Sequence, residues 1–147
     1  MPRIIAKIES ISGMKNLSNI LENVDGILID RGDLSRYVPI EKIPIAQESI
    51  IKQSIKLNTP TYVATNLLES MIKENEATRA ESHDIYSTLK EGAKGLVLAA
   101  ETAIGKNPLE CVRFIKRCIT VYKRNKNKQI PNEKNEKKYL FRTNPHN

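Results

Sequence analysis

Four short apolar segments of the chain end in charged or hydroxyl-bearing residues whose types suit metal and anion chemistry. The segments end in Lys7-Ile8-Glu9, Arg31-Gly32-Asp33, Ala64-Thr65-Asn66 and Ala100-Glu101-Thr102. Because side chains alternate between the two faces of a strand, Lys7 and Glu9 are predicted to point to the same side. If the four segments are neighbouring strands, their polar ends form a single site.

These residue types predict a separate chemical role for each residue. The carboxylates of Glu9 and Asp33 can hold a hard cation such as Mg²⁺, leaving its other positions for water and a substrate oxygen. The ammonium of Lys7 can stabilise negative charge on a transferring group. Gly32 allows backbone N–H groups to approach an anion closely, and the hydroxyl of Thr65 can relay a proton.

Each of these residues also has a structural interpretation. Lys7 and Glu9, two positions apart near a strand end, can form a surface ion pair. Asp33 can cap the turn that precedes Pro39, and the hydroxyl of Thr65 can bond to the backbone at a strand end. Spacing alone therefore leaves the metal site and the structural alternative both open.

The elements that must position these residues follow from the apolar pattern. We predict strands at residues 4–9, 26–29, 61–64 and 95–99. Between and after them we predict helices at residues 13–22, 39–57 and 78–92, and a last helix that starts at Asn107-Pro108. The segment Thr78-Arg79-Ala80-Glu81 is a capping box that starts the third helix, and Gly92 ends that helix.

The strands are continuously apolar, which is typical of a parallel sheet covered by helices. We therefore predict an α/β fold of four strand–helix units. Active sites of parallel α/β proteins lie at the carboxyl ends of the strands. The polar residues described above are predicted to lie at that edge.

The length and composition limit the class of protein. The chain has 147 residues, enough for one domain with a hydrophobic core. No apolar stretch approaches the roughly 20 residues of a membrane span, and no secretory apolar region follows the N-terminus. We predict a cytoplasmic protein without membrane contact. Cys111 and Cys118 are predicted to be reduced residues that pack in the interior.

The net charge of +7 is concentrated at the C-terminal end. Residues 123–147 hold eight Lys or Arg and two Asp or Glu, whereas residues 1–122 hold sixteen and fifteen. We predict a folded domain at 1–122 and a basic disordered tail or linker at 123–147. The tail has two aromatic residues and no recognisable binding module, which disfavours nucleic-acid binding.

Five segments occur together in a specific order: IIAKIES (4–10), DGILIDRGDL (25–34), VATNLLESMI (63–72), ATRAESHD (77–84) and AAETAIGKNPLECV (99–112). In this order and spacing the chain resembles the pyruvate kinase family over residues 4–122. The resemblance is to the second half of the catalytic barrel. It implies that the four strand–helix units form half of a parallel TIM-type barrel.

The resemblance implies catalytic and metal-binding roles. Lys7 matches the lysine that stabilises the phosphoryl group in transit, and Thr65 matches the threonine implicated in protonating the enolate. Glu9 and Asp33 match the two carboxylates that hold the catalytic Mg²⁺ or Mn²⁺. These roles agree with the chemistry expected from the residue types.

The resemblance also implies a substrate-binding set. Gly32 and Asp33 match the turn whose backbone N–H groups receive the carboxylate of phosphoenolpyruvate or pyruvate. Arg31 matches an arginine near the site and the subunit interface, and Thr65 completes the set. Glu101-Thr102 and the capping box match structural motifs of the last two units.

The chain departs from the family pattern at three positions and in its extent. Asp30 stands where the family usually has a small residue, Ser35 replaces a glycine, and Asn66 replaces a common glutamine. The family's first four strands, its nucleotide-closing domain and its monovalent-cation ligands have no counterpart here. We expect the half barrel to form a homo-oligomer or to dock on a complementary half-barrel chain.

Two functions follow from these observations. The first is Mg-dependent phosphoryl transfer between phosphoenolpyruvate and a nucleoside diphosphate, incomplete in this chain alone, or a related enolate reaction on another 2-oxo acid. The second is a non-catalytic barrel remnant that serves as an interaction module or as a subunit of a larger complex. Metal-dependent binding of an enolate analogue separates the two.

Overall fold

The computed structural model describes residues 1–128, which form four parallel strands and the helices that cover them. The strands are β1 (Ile5–Ile8), β2 (Gly26–Asp30), β3 (Thr61–Ala64) and β4 (Gly95–Val97). They lie in the order β1-β2-β3-β4 in one open sheet, with β1 and β4 at its edges. The predicted α/β fold of parallel strand–helix units is confirmed.

The strand register aligns the carboxyl ends of the strands. Ile8 lies opposite Ile29, Ile29 opposite Val63, and Val63 opposite Leu96. The residues that follow each strand therefore emerge at the same edge of the sheet, as the sequence predicts.

Seven α-helices and two 3₁₀ turns connect and cover the strands in residues 1–128. The helices are α1 (Ile11–Lys15), α2 (Leu17–Glu22), α3 (Arg31–Leu34), α4 (Ile43–Lys56), α5 (Arg79–Glu91), α6 (Ala100–Ala103) and α7 (Pro108–Lys126). The 3₁₀ turns are Ile40–Lys42 and Glu69–Ile72. Within the same residues, no helix has both the length and the apolar character that a membrane crossing needs.

The helix predicted at 13–22 forms as two helices. Ser10 caps α1 by accepting a hydrogen bond from the Gly13 N–H at 3.1 Å. The Asn16 side chain donates to the carbonyl of Ser12 at 2.9 Å. An asparagine that bonds its own backbone in this way competes with helix continuation, which explains the break between α1 and α2.

The helix predicted to begin at Pro39 begins instead at Ile43. Pro39 has an extended backbone, with φ −52° and ψ 143°, and precedes the 3₁₀ turn. Pro44 lies in the first turn of α4, where its missing N–H costs no hydrogen bond. The predicted helix is present, but the proline of its first turn is Pro44 rather than Pro39.

The last two predicted helices differ in how closely they match. The capping box of α5 is present and Gly92 ends that helix at φ 117°. Asn107 is the N-cap of α7 and Pro108 its first residue, as predicted. The Asn107 side chain does not cap the helix, because its amide donates to the Glu74 carbonyl and to Asn75 Oδ1. α7 continues to Lys126, past residue 122, and the rest of the predicted tail, residues 129–147, lies outside the described residues.

Two apolar clusters hold the sheet against the helices. The first joins strands β1 to β3 with α2 and α4, and it includes Ile8, Ile27, Ile29, Ile50 and Ile51. The second lies under α5 and α7 and includes Leu67, Leu68, Met71, Ile85 and Cys111. Burying each large aliphatic side chain contributes about 1.5–3 kcal/mol to the stability of the fold. The carboxyl ends of the strands are therefore held in place by a packed core.

The two cysteines pack as predicted. Cys111 is buried and Cys118 is partly buried, and both are free thiols. Burial raises the pKa of each thiol, which disfavours the reactive thiolate form.

Candidate metal and substrate site

Three carboxylates meet at the carboxyl edge of the sheet. Glu9 directly follows β1, Asp30 is the last residue of β2, and Asp33 lies in α3. One oxygen of each lies within 4.8 Å of the others. Glu9 and Asp33 were predicted to share this place, but Asp30 was noted in the sequence only as a departure from a family pattern.

The ammonium of Lys7 lies among these carboxylates. Lys7 Nζ is 2.9 Å from Glu9 Oε2, 3.1 Å from Asp30 Oδ2 and 3.8 Å from Asp33 Oδ2. The Glu9 and Asp30 carboxylates raise the pKa of Lys7 above its usual value. Lys7 is therefore a permanent cation here, as a group that stabilises a transferring anion must be.

Asp30 is the most buried member of the cluster. The residue is 8% exposed, and its Oδ1 accepts the Asp33 N–H at 3.2 Å, which caps α3. Burial would raise the pKa of Asp30, but the bonds from the Asp33 N–H and from Lys7 outweigh it and lower the pKa. Asp30 is therefore a carboxylate anion in the described state.

The pKa of Asp33 shifts in the opposite direction to that of Asp30. The neighbouring Asp30 carboxylate, followed by partial desolvation and Glu9, raises the pKa of Asp33. Like charges held close together make the ionised form of the more exposed group less favourable. A cation placed among the three carboxylates would relieve this repulsion.

Arg31 holds Thr65 in place. Its Nε and Nη2 donate to the Thr65 carbonyl at 3.2 and 2.7 Å. Its Nη1 and Nη2 donate to the two carboxylate oxygens of Asp84, on α5, at 2.7 and 2.9 Å. The family resemblance implies a substrate-binding role for Arg31, and its observed donors contact the residue that follows β3 and a residue of α5. Asp84 was not predicted, because nothing local links it to a residue 53 positions away.

Thr65 adopts a conformation that β-branched residues rarely take. Its φ is 72° and that of Asn66 is 58°, both in the left-handed region. The Thr65 hydroxyl accepts the Gly32 N–H at 2.6 Å and donates to the Ala64 carbonyl at 2.7 Å. Strain of this kind is retained where surrounding contacts impose it, and it occurs often at functional sites.

Gly32 leaves the space between these groups open. A Cβ at this position would lie 3.4 Å from Thr65 Oγ1 and 3.6 Å from Asp30 Oδ1. The backbone of Gly32 does not require glycine, since its φ is not positive. A Cβ would also make only ordinary van der Waals contacts with these groups.

The other two sequence departures lie beside the same turn. Ser35 Oγ donates to the Gly32 carbonyl at 2.6 Å, which fixes the first turn of α3. Asn66 Nδ2 donates to Glu69 Oε2 at 3.2 Å. Ser35 therefore shapes the 32–33 turn, and Asn66 shapes the loop after β3.

Two further carboxylates support the loop that carries Thr65. Glu101 is 2% exposed and accepts the backbone N–H groups of Leu68 and Ala99 at 3.0 and 2.8 Å. Glu81 accepts the Ser70 N–H at 2.9 Å in addition to its capping bonds. These contacts connect the loop after β3 to β4 and α5.

The donor set suits a divalent metal ion of the Mg²⁺ type. Carboxylate oxygens are its preferred ligands. Glu9 Oε2 is enclosed beside Lys7 Nζ, which lies 2.9 Å away. A neighbouring cleft of about 280 Å³ is lined by Glu9, Ser10, Asp33, Arg36 and Tyr37. The residues present fit such an ion.

Parallel strands that alternate with helices, with a lysine and carboxylates at the carboxyl edge of the sheet, are the repeating units of α/β proteins with parallel sheets. The family model "Pyruvate kinase, barrel domain" matches residues 2–112. The chain therefore belongs to the pyruvate kinase family.

Curated relatives agree with this assignment. The chain is 46% identical over 112 residues to a pyruvate kinase of Thermotoga maritima, covering 76% of this chain and 24% of the relative. It is 47% identical over 112 residues to a plastidial pyruvate kinase of Arabidopsis thaliana, covering 76% and 20%. It is 40% identical over 111 residues to a pyruvate kinase of Geobacillus stearothermophilus, covering 76% and 19%. The chain thus spans a quarter or less of these relatives.

Proposed function

We propose that this chain carries the metal-binding and enolate-handling part of a pyruvate kinase-type active site. The supporting observation is the convergence of Lys7, Glu9 and Asp33 at one edge of the sheet. The substrate class is phosphoenolpyruvate or pyruvate. We place the reaction in the cytoplasm, although the plastidial relative shows that the family also works in another compartment.

In this proposal Glu9 and Asp33 hold Mg²⁺ or Mn²⁺, with Asp30 close enough to join them. When bound, the metal offsets negative charge on the enolate and phosphoryl oxygens. Lys7 stabilises the phosphoryl group while it moves between oxygens. The 32–33 turn would bind the substrate carboxylate, and Thr65 would move the proton.

The turn would bind the substrate carboxylate through the N–H groups of Gly32 and Asp33. In the described state these groups donate to Thr65 Oγ1 and Asp30 Oδ1. The substrate carboxylate must therefore replace or share these acceptors. Release of the Gly32 N–H also frees a lone pair on Thr65 Oγ1, the oxygen proposed to move a proton to or from the enolate.

Complete turnover needs groups beyond those of this chain. The family resemblance assigns the nucleotide-closing domain and the monovalent-cation ligands to other segments. We propose that a second copy or a complementary half barrel supplies the other barrel strands. The open edges at β1 and β4 support this part of the proposal.

The test is a calorimetric titration with oxalate, an analogue of the pyruvate enolate, with and without Mn²⁺. We expect binding that requires Mn²⁺ and falls at least about tenfold in Glu9→Gln and in Asp33→Asn, since each removes a charged ligand. Glu22→Gln is the control, because Glu22 is exposed at the end of α2. If the folded protein binds neither Mn²⁺ nor oxalate, the interaction-module function replaces the catalytic one.

A further inference from the structure

The carboxylate of Asp30 already occupies the groups that an anionic substrate needs. Its Oδ1 accepts the N–H of Asp33 at 3.2 Å and its Oδ2 lies 3.1 Å from Lys7 Nζ. A substrate carboxylate or phosphoryl group would contact the same N–H group and the same ammonium. Asp30 thus has the charge, the position and the hydrogen bonds of an internal anion.

The burial of Asp30 makes this occupation persistent. Its side chain is 11% exposed, compared with 38% for Glu9 and 37% for Asp33. Asp30 is also the N-cap of α3, so its backbone position is fixed by the end of β2. A carboxylate held in this way competes with a diffusing anion without the entropy loss of association.

The negative charge around Lys7 also opposes the binding of an anionic substrate. One ammonium faces three carboxylates within 3.8 Å, and Arg36 pairs with Asp33 at 3.5 Å. Three negative and two positive charges leave the cluster negative overall in the absence of a cation. An approaching anion meets repulsion from Glu9 and Asp33 as well as a filled position at Asp30. The remaining N–H of the turn, that of Gly32, is held by Thr65 Oγ1.

We infer that Asp30 is a specificity-determining residue that blocks anion binding until a divalent cation is present. With a cation on Glu9 and Asp33, Asp30 can exchange its contact with Lys7 for one with the cation. The ammonium and the turn then become available to the anion. Metal and anion therefore bind with positive coupling, and Asp30 accounts for much of that coupling. The substrate class in this inference rests on the proposed function.

The test compares oxalate binding to the 147-residue chain in EDTA and in Mn²⁺, for wild type, Asp30→Asn and Asp30→Ala. Asp30→Asn keeps an acceptor for the Asp33 N–H but removes the charge, and Asp30→Ala removes both. We expect each variant to bind oxalate in EDTA about tenfold or more tightly than wild type, the effect of removing one charge-assisted contact. Glu22→Gln is the control and should match wild type.

The coupling is measured as the ratio of the oxalate dissociation constants in EDTA and in Mn²⁺. This ratio should fall about tenfold or more in both Asp30 variants. An increase in oxalate affinity in EDTA that occurs only in Asp30→Ala also supports the inference. It would show that Asp30 blocks anion binding by occupying the Asp33 N–H rather than by its charge. Thermal melts show whether each variant is folded. If Asp30→Ala does not fold, the test rests on Asp30→Asn, which keeps the acceptor that caps α3.

Oxalate affinities in EDTA within about twofold of wild type in both variants would overturn the inference. This result is separate from failure of the proposed function, which appears only in the Mn²⁺ measurements of wild type. If wild type binds no Mn²⁺ while the Asp30 variants still gain oxalate affinity in EDTA, the block by Asp30 stands and the metal-dependent function does not.

Discussion

Arg31 connects the candidate site to the body of the protein. Its guanidinium bonds the Thr65 carbonyl on one side and the Asp84 carboxylate on the other, and its side chain is 12% exposed. The planar fork makes these contacts at once, which an ammonium cannot do. We therefore expect Arg31 to act by positioning Thr65 in its strained conformation.

Arg31→Lys should lower the free energy of unfolding by about 1–3 kcal/mol, because part-buried partners lose charge-assisted hydrogen bonds. Arg113→Lys is a matched control, since Arg113 pairs with Glu110 on the exposed surface of α7 and should change stability by less than about 0.5 kcal/mol. Urea unfolding measures both. Equal effects of the two substitutions would contradict the positioning role.

At the residue scale, the sequence predicted which residues come together better than it predicted the contacts they make. Lys7, Glu9 and Asp33 could be predicted to meet because each lies at or shortly after the end of an apolar segment, and parallel strands bring such positions together. Asp84 could not be predicted because its partner is distant in sequence. Asp30 was visible as an unusual charge, but its capping and ion-pair contacts depend on the side-chain packing at the end of β2.

The loop after β3 is joined to α5 by the carboxylate of Glu81. Glu81 belongs to α5, yet it receives hydrogen bonds from the backbone and the hydroxyl of Ser70, in the loop after β3. Partial burial would raise the pKa of Glu81, but the bonds from Ser70 and Thr78 outweigh it and lower the pKa. The ionised form of Glu81 therefore stabilises the folded protein.

This shift predicts a pH dependence with a definite sign. A carboxylate whose pKa is lower in the folded state contributes stability above its unfolded pKa, near 4.5, and loses it as the pH falls through the folded value. Glu81→Gln should lower stability at pH 7 and weaken its decline below pH 4.5. Glu76→Gln, at an exposed loop position, should retain the wild-type profile. Parallel profiles for wild type and Glu81→Gln would contradict the assignment.

At the element scale, the sequence predicted strands more reliably than helix ends. All four strands were found because their apolar residues are continuous. The capping box of α5 was found because it is a local pattern. The start of α4 was missed because two prolines, Pro39 and Pro44, fit a first helical turn. The N-cap of α7 was found at Asn107, but its side chain bonds to Glu74 and Asn75 rather than to the helix.

The whole described unit is a four-stranded sheet with an unpaired edge on each side. The β1 edge presents Ile4 and Ile5, which are 61% and 44% exposed. Exposed edges with apolar residues favour pairing with another strand. The half-barrel architecture was predictable from the family resemblance, but the identity of the partner edge was not, since one chain carries no record of it.

We expect the 147-residue chain to self-associate through the β1 edge when no complementary half barrel is present. Ile5→Lys places a charge at this edge and should shift the sedimentation coefficient toward that of a monomer. Ile45→Lys is the matched control, because Ile45 is 68% exposed on α4, away from the strands. A wild type that remains monomeric at every concentration and melts cooperatively would contradict edge pairing. The half barrel would then be stable by itself. Any partner would supply residues to the site and would not be needed to stabilise the sheet.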